Sequence, residues 1–159
     1  METRTFEAFF EAEAAILFRR FCVITADRFE AEEVTQDAFV AVLERWDRVR
    51  AMDDPVGYLY QVAFNVLRKR RRRAVLALRR TTTPDAMRDE FAAADARQVV
   101  SETLARLTPR QRAALVLTEL MGYTSEAAGR MLGVRAGTVR ALATQGRAAM
   151  RRALKPEDE

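Results

Sequence analysis

Arg140, Thr144, Arg147 and Arg151 recur at i, i+4, i+7 and i+11, with Gln145 and Arg152 beside them. On a helix that spacing lines one face with guanidinium forks and short polar groups, which can donate in pairs to phosphates or to the edges of bases. The opposite side is apolar, with Val139, Leu142, Ala143, Gly146 and Met150 forming an inward stripe. A basic face on a core helix is often no more than solvated, so what precedes it decides the matter. Here Gly133 can supply a positive backbone angle at a turn, Gly129 leaves room where two helices touch, and Val139 anchors the next helix six residues on. A basic helix placed directly after so tight a turn is how a recognition helix enters a major groove.

The elements that must hold this face are legible upstream. Thr108, Pro109 and Gln111 make a capping-box start for a helix carrying Leu115, Val116, Leu117, Leu120 and Met121, which Gly122 can end. Thr124 then caps a short helix with Ala127, Ala128, Met131 and Leu132, closed at Gly133, and the basic helix runs from about Ala136 to Leu154.

The N-terminal half predicts three long helices. The first carries Phe6, Phe9, Phe10, Ala14, Leu17, Phe18 and Phe21 and ends near Thr25. The second runs from about Phe29 to Val49, with Asp27 and Glu30 as a cap pair and Val34, Ala38, Phe39, Val42, Leu43 and Trp46 inside. Its outer side presents Glu33, Gln36, Asp37 and Val40, either a merely solvated acidic stripe or a docking surface for a basic partner helix. The third opens at Asp54-Pro55, buries Tyr58, Leu59, Val62, Ala63 and Val66, and sets Gln61, Asn65, Arg68 and Arg72 on the other side. Between the halves, residues 79–97 contain three threonines before Pro84 and an Ala/Asp-rich stretch, expected to be a flexible acidic linker. The expected architecture is all-α, with helical domains at 1–78 and 98–154, the latter a helix-turn-helix.

Charge is distributed in blocks. Residues 1–67 carry 7 basic and 13 acidic side chains, 68–80 carry 8 basic and none acidic, and 104–154 carry 9 basic and 2 acidic, within a net of +4. Two separate basic blocks suggest two phosphate-contacting surfaces on one chain. The run from Arg68 through Lys69 to Arg73 could instead be a polybasic membrane patch, but it continues a helix with a core-facing stripe and carries no lipidation signal.

Absences narrow the classes further. Histidine is missing, which removes the commonest general base and the imidazole metal ligand, and no Gly-rich phosphate loop or nucleophile elbow replaces it. The single cysteine, Cys22, precludes an internal disulfide and reads as a buried thiol. Neither catalysis nor a cofactor is expected. With no run of eighteen apolar residues and no leader pattern, the protein is expected to be cytoplasmic.

Four segments in order resemble the extracytoplasmic-function sigma factors of bacterial RNA polymerase. Ala31 to Phe39 looks like the family's Ala-Glu-Asp-Leu-x-Gln-Glu-x-Phe stretch, and Pro55, Tyr58-Leu59-Tyr60 and Asn65 look like its Pro-x-x-Trp-Leu-Tyr-x-x-x-x-Asn. Leu107 to Arg112 is similar to Leu-Pro-x-x-x-Arg, and Leu132-Gly133-Val134 with Gly137-Thr138-Val139 to Leu-Gly-Val-x-x-Gly-Thr-Val. The resemblance implies a specificity subunit that binds core RNA polymerase and promoter DNA. Glu33, Gln36, Asp37 and Val40 would dock on the polymerase's largest subunit. Arg48, Arg50, Tyr58, Gln61, Asn65, Arg68, Lys69 and Arg72 would serve the minus-ten element and its unstacked non-template strand. Arg135, Thr138, Arg140, Thr144, Gln145 and Arg147 would read the minus-thirty-five element. The recognition helix departs from the family at Leu142 and Gln145, where arginine is common. Left open are an anti-sigma partner and two rival classes: a helix-turn-helix regulator acting without polymerase, and an α-helical interaction protein with merely solvated basic faces.

Overall fold

The computed structural model describes residues 4–78, 100 and 102–155, which are helices joined by short turns and connecting segments and are free of strands. The expected linker at 79–97 lies outside the described residues, with the domain boundaries drawn on it. The chain divides into two compact units.

The first unit is built from α1 (Phe6–Thr25) as far as Cys22, α2 (Arg28–Glu44), the single turn α3 (Trp46–Val49) and α4 (Pro55–Leu78). Asp27 caps α2 by accepting from the Glu30 amide at 3.1 Å, as expected. The second expected helix breaks at Arg45, however, whose backbone leaves the helical region (φ −118°, ψ 19°), so α3 is a separate turn. That kink turns Trp46 onto Phe9 at 5.2 Å and Phe6 at 5.6 Å between ring centroids. Phe10 and Phe39 extend the same aromatic cluster at 4.9 Å, edge to face. A second layer joins Phe21 to Phe64 at 5.0 Å and to Tyr60 at 6.3 Å. Burying rings of this size supplies roughly 1.5–3 kcal/mol apiece.

The face of α4 is rotated from expectation. Tyr60, Phe64 and Leu67 are buried with Leu59 and Ala63, whereas Tyr58, Val62 and Val66 are half-buried. On α2, Val34, Ala38, Phe39 and Val42 are inside as expected, but Leu43 is exposed. Cys22 is half-buried rather than enclosed. Tyr60 satisfies its hydroxyl deep in the unit by accepting from Arg20 Nη1 at 2.9 Å. Burial raises its pKa, and the hydrogen bond from Arg20 partly opposes that rise.

The second unit contains α5 (Pro109–Leu115), a π turn (Val116–Leu120), α6 (Ser125–Leu132) and α7 (Ala136–Leu154). The capping box at its start is present in full: Thr108 Oγ1 accepts from the Gln111 amide at 3.2 Å, and Gln111 Oε1 accepts from the Thr108 amide at 3.0 Å. Arg112 is buried and donates through Nη1 to the carbonyls of Leu104 at 2.9 Å and Leu107 at 2.6 Å, tying the segment before α5 to the helix. The helix widens into the π turn, where the Met121 amide reaches the Val116 carbonyl at 3.0 Å. Gly122 (φ 75°) ends it, and the Tyr123 amide closes onto the Leu117 carbonyl at 3.0 Å.

Candidate nucleic-acid interface

Local chemistry sets α7 at its angle. Thr124 Oγ1 accepts from the Ala127 amide at 3.1 Å and starts α6, and Gly133 (φ 70°, ψ 32°) ends it in the left-handed conformation. The Val134 amide returns to the Gly129 carbonyl at 3.0 Å. Gly129 is needed for the approach: a Cβ there would lie 2.7 Å from the Val134 carbonyl oxygen. Val139, Ala143 and Gly146 are buried, as the inward stripe requires, and a Cβ on Gly146 would meet Leu115 Cδ1 at 2.9 Å. The turn geometry is therefore that of a helix-turn-helix.

The outer face of α7 carries the expected side chains together, yet they differ in how free they are. Arg135 and Thr138 are exposed at the start of the helix, where unsatisfied amides favour anions. Arg140, Thr144 and Gln145 are exposed along it and Arg147 is half-buried. Arg140 Nη1 lies 3.3 Å from Glu126 Oε1, and Arg147 Nη1 lies 2.5 Å from Glu119 Oε1 while its Nη2 donates to Thr144 Oγ1 at 3.4 Å. Gln145 accepts from Gln111 Nε2 at 3.4 Å. Sequence periodicity gave no sign of Glu119, Glu126 or Gln111 as partners, because each sits on a different element brought close only by the turns.

In the first unit, Gln61, Asn65, Arg68 and Arg72 form one exposed ridge of α4, with Lys69 beside it and Tyr58 half-buried at its N-terminal end. Asp54 Oδ1 holds that end by accepting from the Gly57 amide at 2.9 Å. Arg68 contacts the Asn65 side-chain oxygen. Arg48 and Arg50 are exposed around the C-terminal end of α3, Arg50 paired with Asp47 at 3.1 Å. The basic run divides into two sets. Arg70 and Arg71 turn back onto α2, where Arg70 Nη1 stands 3.4 Å from Glu33 and 3.5 Å from Asp37, and Arg71 Nε 3.1 Å from Glu30. Lys69, Arg72 and Arg73 stay exposed and make no ion pair among the described residues.

The same pairing shapes the acidic stripe. Gln36, Asp37 and Val40 are exposed and Glu33 is half-buried, so the four expected docking residues do share an outer face of α2. Two of the four are already engaged by Arg70. Glu30, Glu33 and Asp37 at helical spacing opposite a basic run was a signal that could have revealed this.

Among the described residues no group of acidic or cysteine side chains could hold a metal ion, and no helix is long and apolar enough to cross a membrane.

Residues 14–77 match the family Sigma-70 region 2, and residues 97–150 match Sigma-70, region 4. The ECF RNA polymerase sigma factor SigL of Mycobacterium tuberculosis is 28% identical over 149 residues, spanning 87% of this chain and 82% of that protein. The RNA polymerase sigma-E factor of Streptomyces avermitilis is 27% identical over 159 residues, spanning 99% and 89%. The sigma factor RpoE of Bartonella quintana, solved in complex with the anti-sigma factor NepR, shares the fold with a TM-score of 0.76 at 17% identity, over 96% of this chain and 98% of that one. The PhyRSL chain of Sphingomonas sp. Fr1, solved with NepR, matches with a TM-score of 0.66 at 21% identity, over 98% and 95%. Both sigma regions, in order on one helical chain, place this protein in the sigma-70 family as an extracytoplasmic-function RNA polymerase sigma factor, a non-enzymatic subunit that directs promoter-specific initiation.

Proposed function

We propose that promoter recognition by this sigma factor is divided between two domains, 1–78 and 98–154, with three surfaces in fixed roles. The Glu33, Gln36, Asp37 and Val40 face of α2 docks on core polymerase. The ridge of Tyr58, Gln61, Asn65, Arg68, Lys69 and Arg72, with Arg48 and Arg50 nearby, receives the minus-ten element. Extracting a base from the stack costs a few kcal/mol and least at A·T-rich steps, so a polar ridge continued by exposed cations suits strand capture better than groove reading. The face of α7 with Arg135, Thr138, Arg140, Thr144, Gln145 and Arg147 reads the minus-thirty-five element. The observation that carries this reading is the helix-turn-helix geometry at Gly129 and Gly133, which projects α7 with its polar face outward.

The site of action is the cytoplasm, where core polymerase is found. An anti-sigma partner is proposed as well, since the Bartonella quintana neighbour was captured with one. A rival regulator acting without polymerase is not favoured, because region 2 has no place in it.

Reconstitution tests the assignment. The purified chain is expected to bind core RNA polymerase and to start transcripts at a discrete set of genomic fragments that core alone ignores. Alanine at Gln61 and Asn65 should then impair strand opening, read by permanganate reactivity of unpaired thymines, more than duplex binding. Loss of duplex binding with opening intact would overturn the division of roles.

A further inference from the structure

We propose that Glu119 and Glu126 are specificity-determining residues that restrain Arg147 and Arg140, competing with phosphate for the two guanidiniums of α7. The inference rests on the reading of α7 as the minus-thirty-five helix and deepens it. Arg140, Arg147, Arg151 and Arg152 are the four arginines of α7, and two of them are paired with carboxylates from the π turn and α6. Arg147 is further fixed by its second nitrogen on Thr144, which sets the plane of the fork.

These pairs contribute little to holding the fold together. Their side chains are 41–62% exposed, a range in which ion pairs add little to stability. Their effect falls on binding instead. Sequence-independent affinity comes from neutralising phosphates, so a guanidinium already neutralised by its own chain adds little to it. A purine edge offers two acceptors in a fixed geometry, and a guanidinium has five donors, so it can meet that edge without abandoning its carboxylate. Phosphate contacts made in the wrong register are therefore weakened more than base contacts in the right one.

The test uses holoenzyme reconstituted from core polymerase and full-length chain. Two duplex probes are compared across several salt concentrations: a random-sequence pool, and a duplex selected from that pool by the parent holoenzyme. Glu119→Gln with Glu126→Gln is expected to raise affinity for the random pool about five- to tenfold while the selected duplex gains clearly less. The salt dependence on the pool should steepen by about 0.9 per released guanidinium. In an Arg140→Gln, Arg147→Gln background the same glutamate changes should have no effect, because the restraint acts through those arginines. Equal gains on both probes, or unchanged affinity and slope, would overturn the proposal. If the arginine variants alone leave binding to both probes unchanged, the reading of α7 fails and takes the proposal with it. If they weaken binding while the glutamate variants do nothing, only the restraint is wrong.

Discussion

Three glycines of the second unit can each be replaced by alanine, and the outcome should differ in sign because their surroundings differ. Removing a glycine from a helix gains roughly 0.5–1 kcal/mol through backbone entropy, wherever the new methyl group fits. At Gly137 it fits, the nearest atom being the Arg140 guanidinium at 3.9 Å, so Gly137→Ala should stabilise by about 0.5 kcal/mol. At Gly146 the methyl meets Leu115 Cδ1 at 2.9 Å and Cγ at 3.3 Å, a side chain that can shift at some cost. Overpacking of that kind costs about 1–3 kcal/mol, leaving a net loss of about 1 kcal/mol for Gly146→Ala. At Gly129 the obstacles are backbone: Val134 O at 2.7 Å, Ala136 N at 3.3 Å and Arg135 C at 3.4 Å. Relief there requires the turn itself to open, so the upper part of the same range applies and Gly129→Ala should lose about 2 kcal/mol net. Calorimetry of the full chain reads the series, since 1 kcal/mol moves the melting temperature of so small a domain by about 4–8 °C. Duplex binding should follow, with Gly129→Ala losing it and Gly137→Ala retaining it. A Gly129→Ala variant melting at or above the parent would refute the packing argument, as would equal losses at Gly129 and Gly137.

Replacing Glu33, Gln36 and Asp37 together by alanine should leave helicity and melting within about 1 kcal/mol of the parent, because the Arg70 pairs are partly exposed, while capture of core polymerase in a pull-down weakens. Equal capture would remove that docking site. Arg140→Ala should cost about 1–3 kcal/mol on a selected minus-thirty-five duplex and little on scrambled DNA if it reads a base edge; equal weakening on both, with a salt slope flatter by about one, would make it a phosphate contact. Arg112→Met should destabilise by about 1–3 kcal/mol in denaturant titrations, since the Leu104 and Leu107 carbonyls lose a buried donor. Tyr60 has a raised pKa in the fold, so it stays neutral there while an unfolded chain ionises near 10. Its contribution is complete below that pH and is lost as pH climbs through the folded value. Tyr60→Phe should therefore flatten the decline in stability above about pH 10, and an unaltered alkaline profile would count against it.

Much of this molecule was determined locally and could be read from the chain alone. Caps at Asp27, Thr108 and Thr124 and the left-handed ends at Gly122 and Gly133 depend on residues within a few positions of one another, and all five stand where their residue types require. The outward arginines of α7 follow from helical period in the same way. What depended on tertiary structure was which rotation of a helix is buried when several apolar faces compete. On α4, Phe64 and Leu67 are buried where Val62 and Val66 are not, and Phe64 packs on the ring of Phe21, 43 residues away in sequence. The break at Arg45 likewise serves Trp46, whose partners Phe6 and Phe9 lie on another helix. Charge pairing was equally non-local. Arg70 with Glu33 and Asp37, Arg140 with Glu126, and Arg147 with Glu119 join residues 14 to 37 positions apart, beyond the reach of any helical spacing rule. Periodicity assigns a side chain to a face, but only the packed neighbour decides whether a cation on that face is free for DNA or already held by a carboxylate of its own chain.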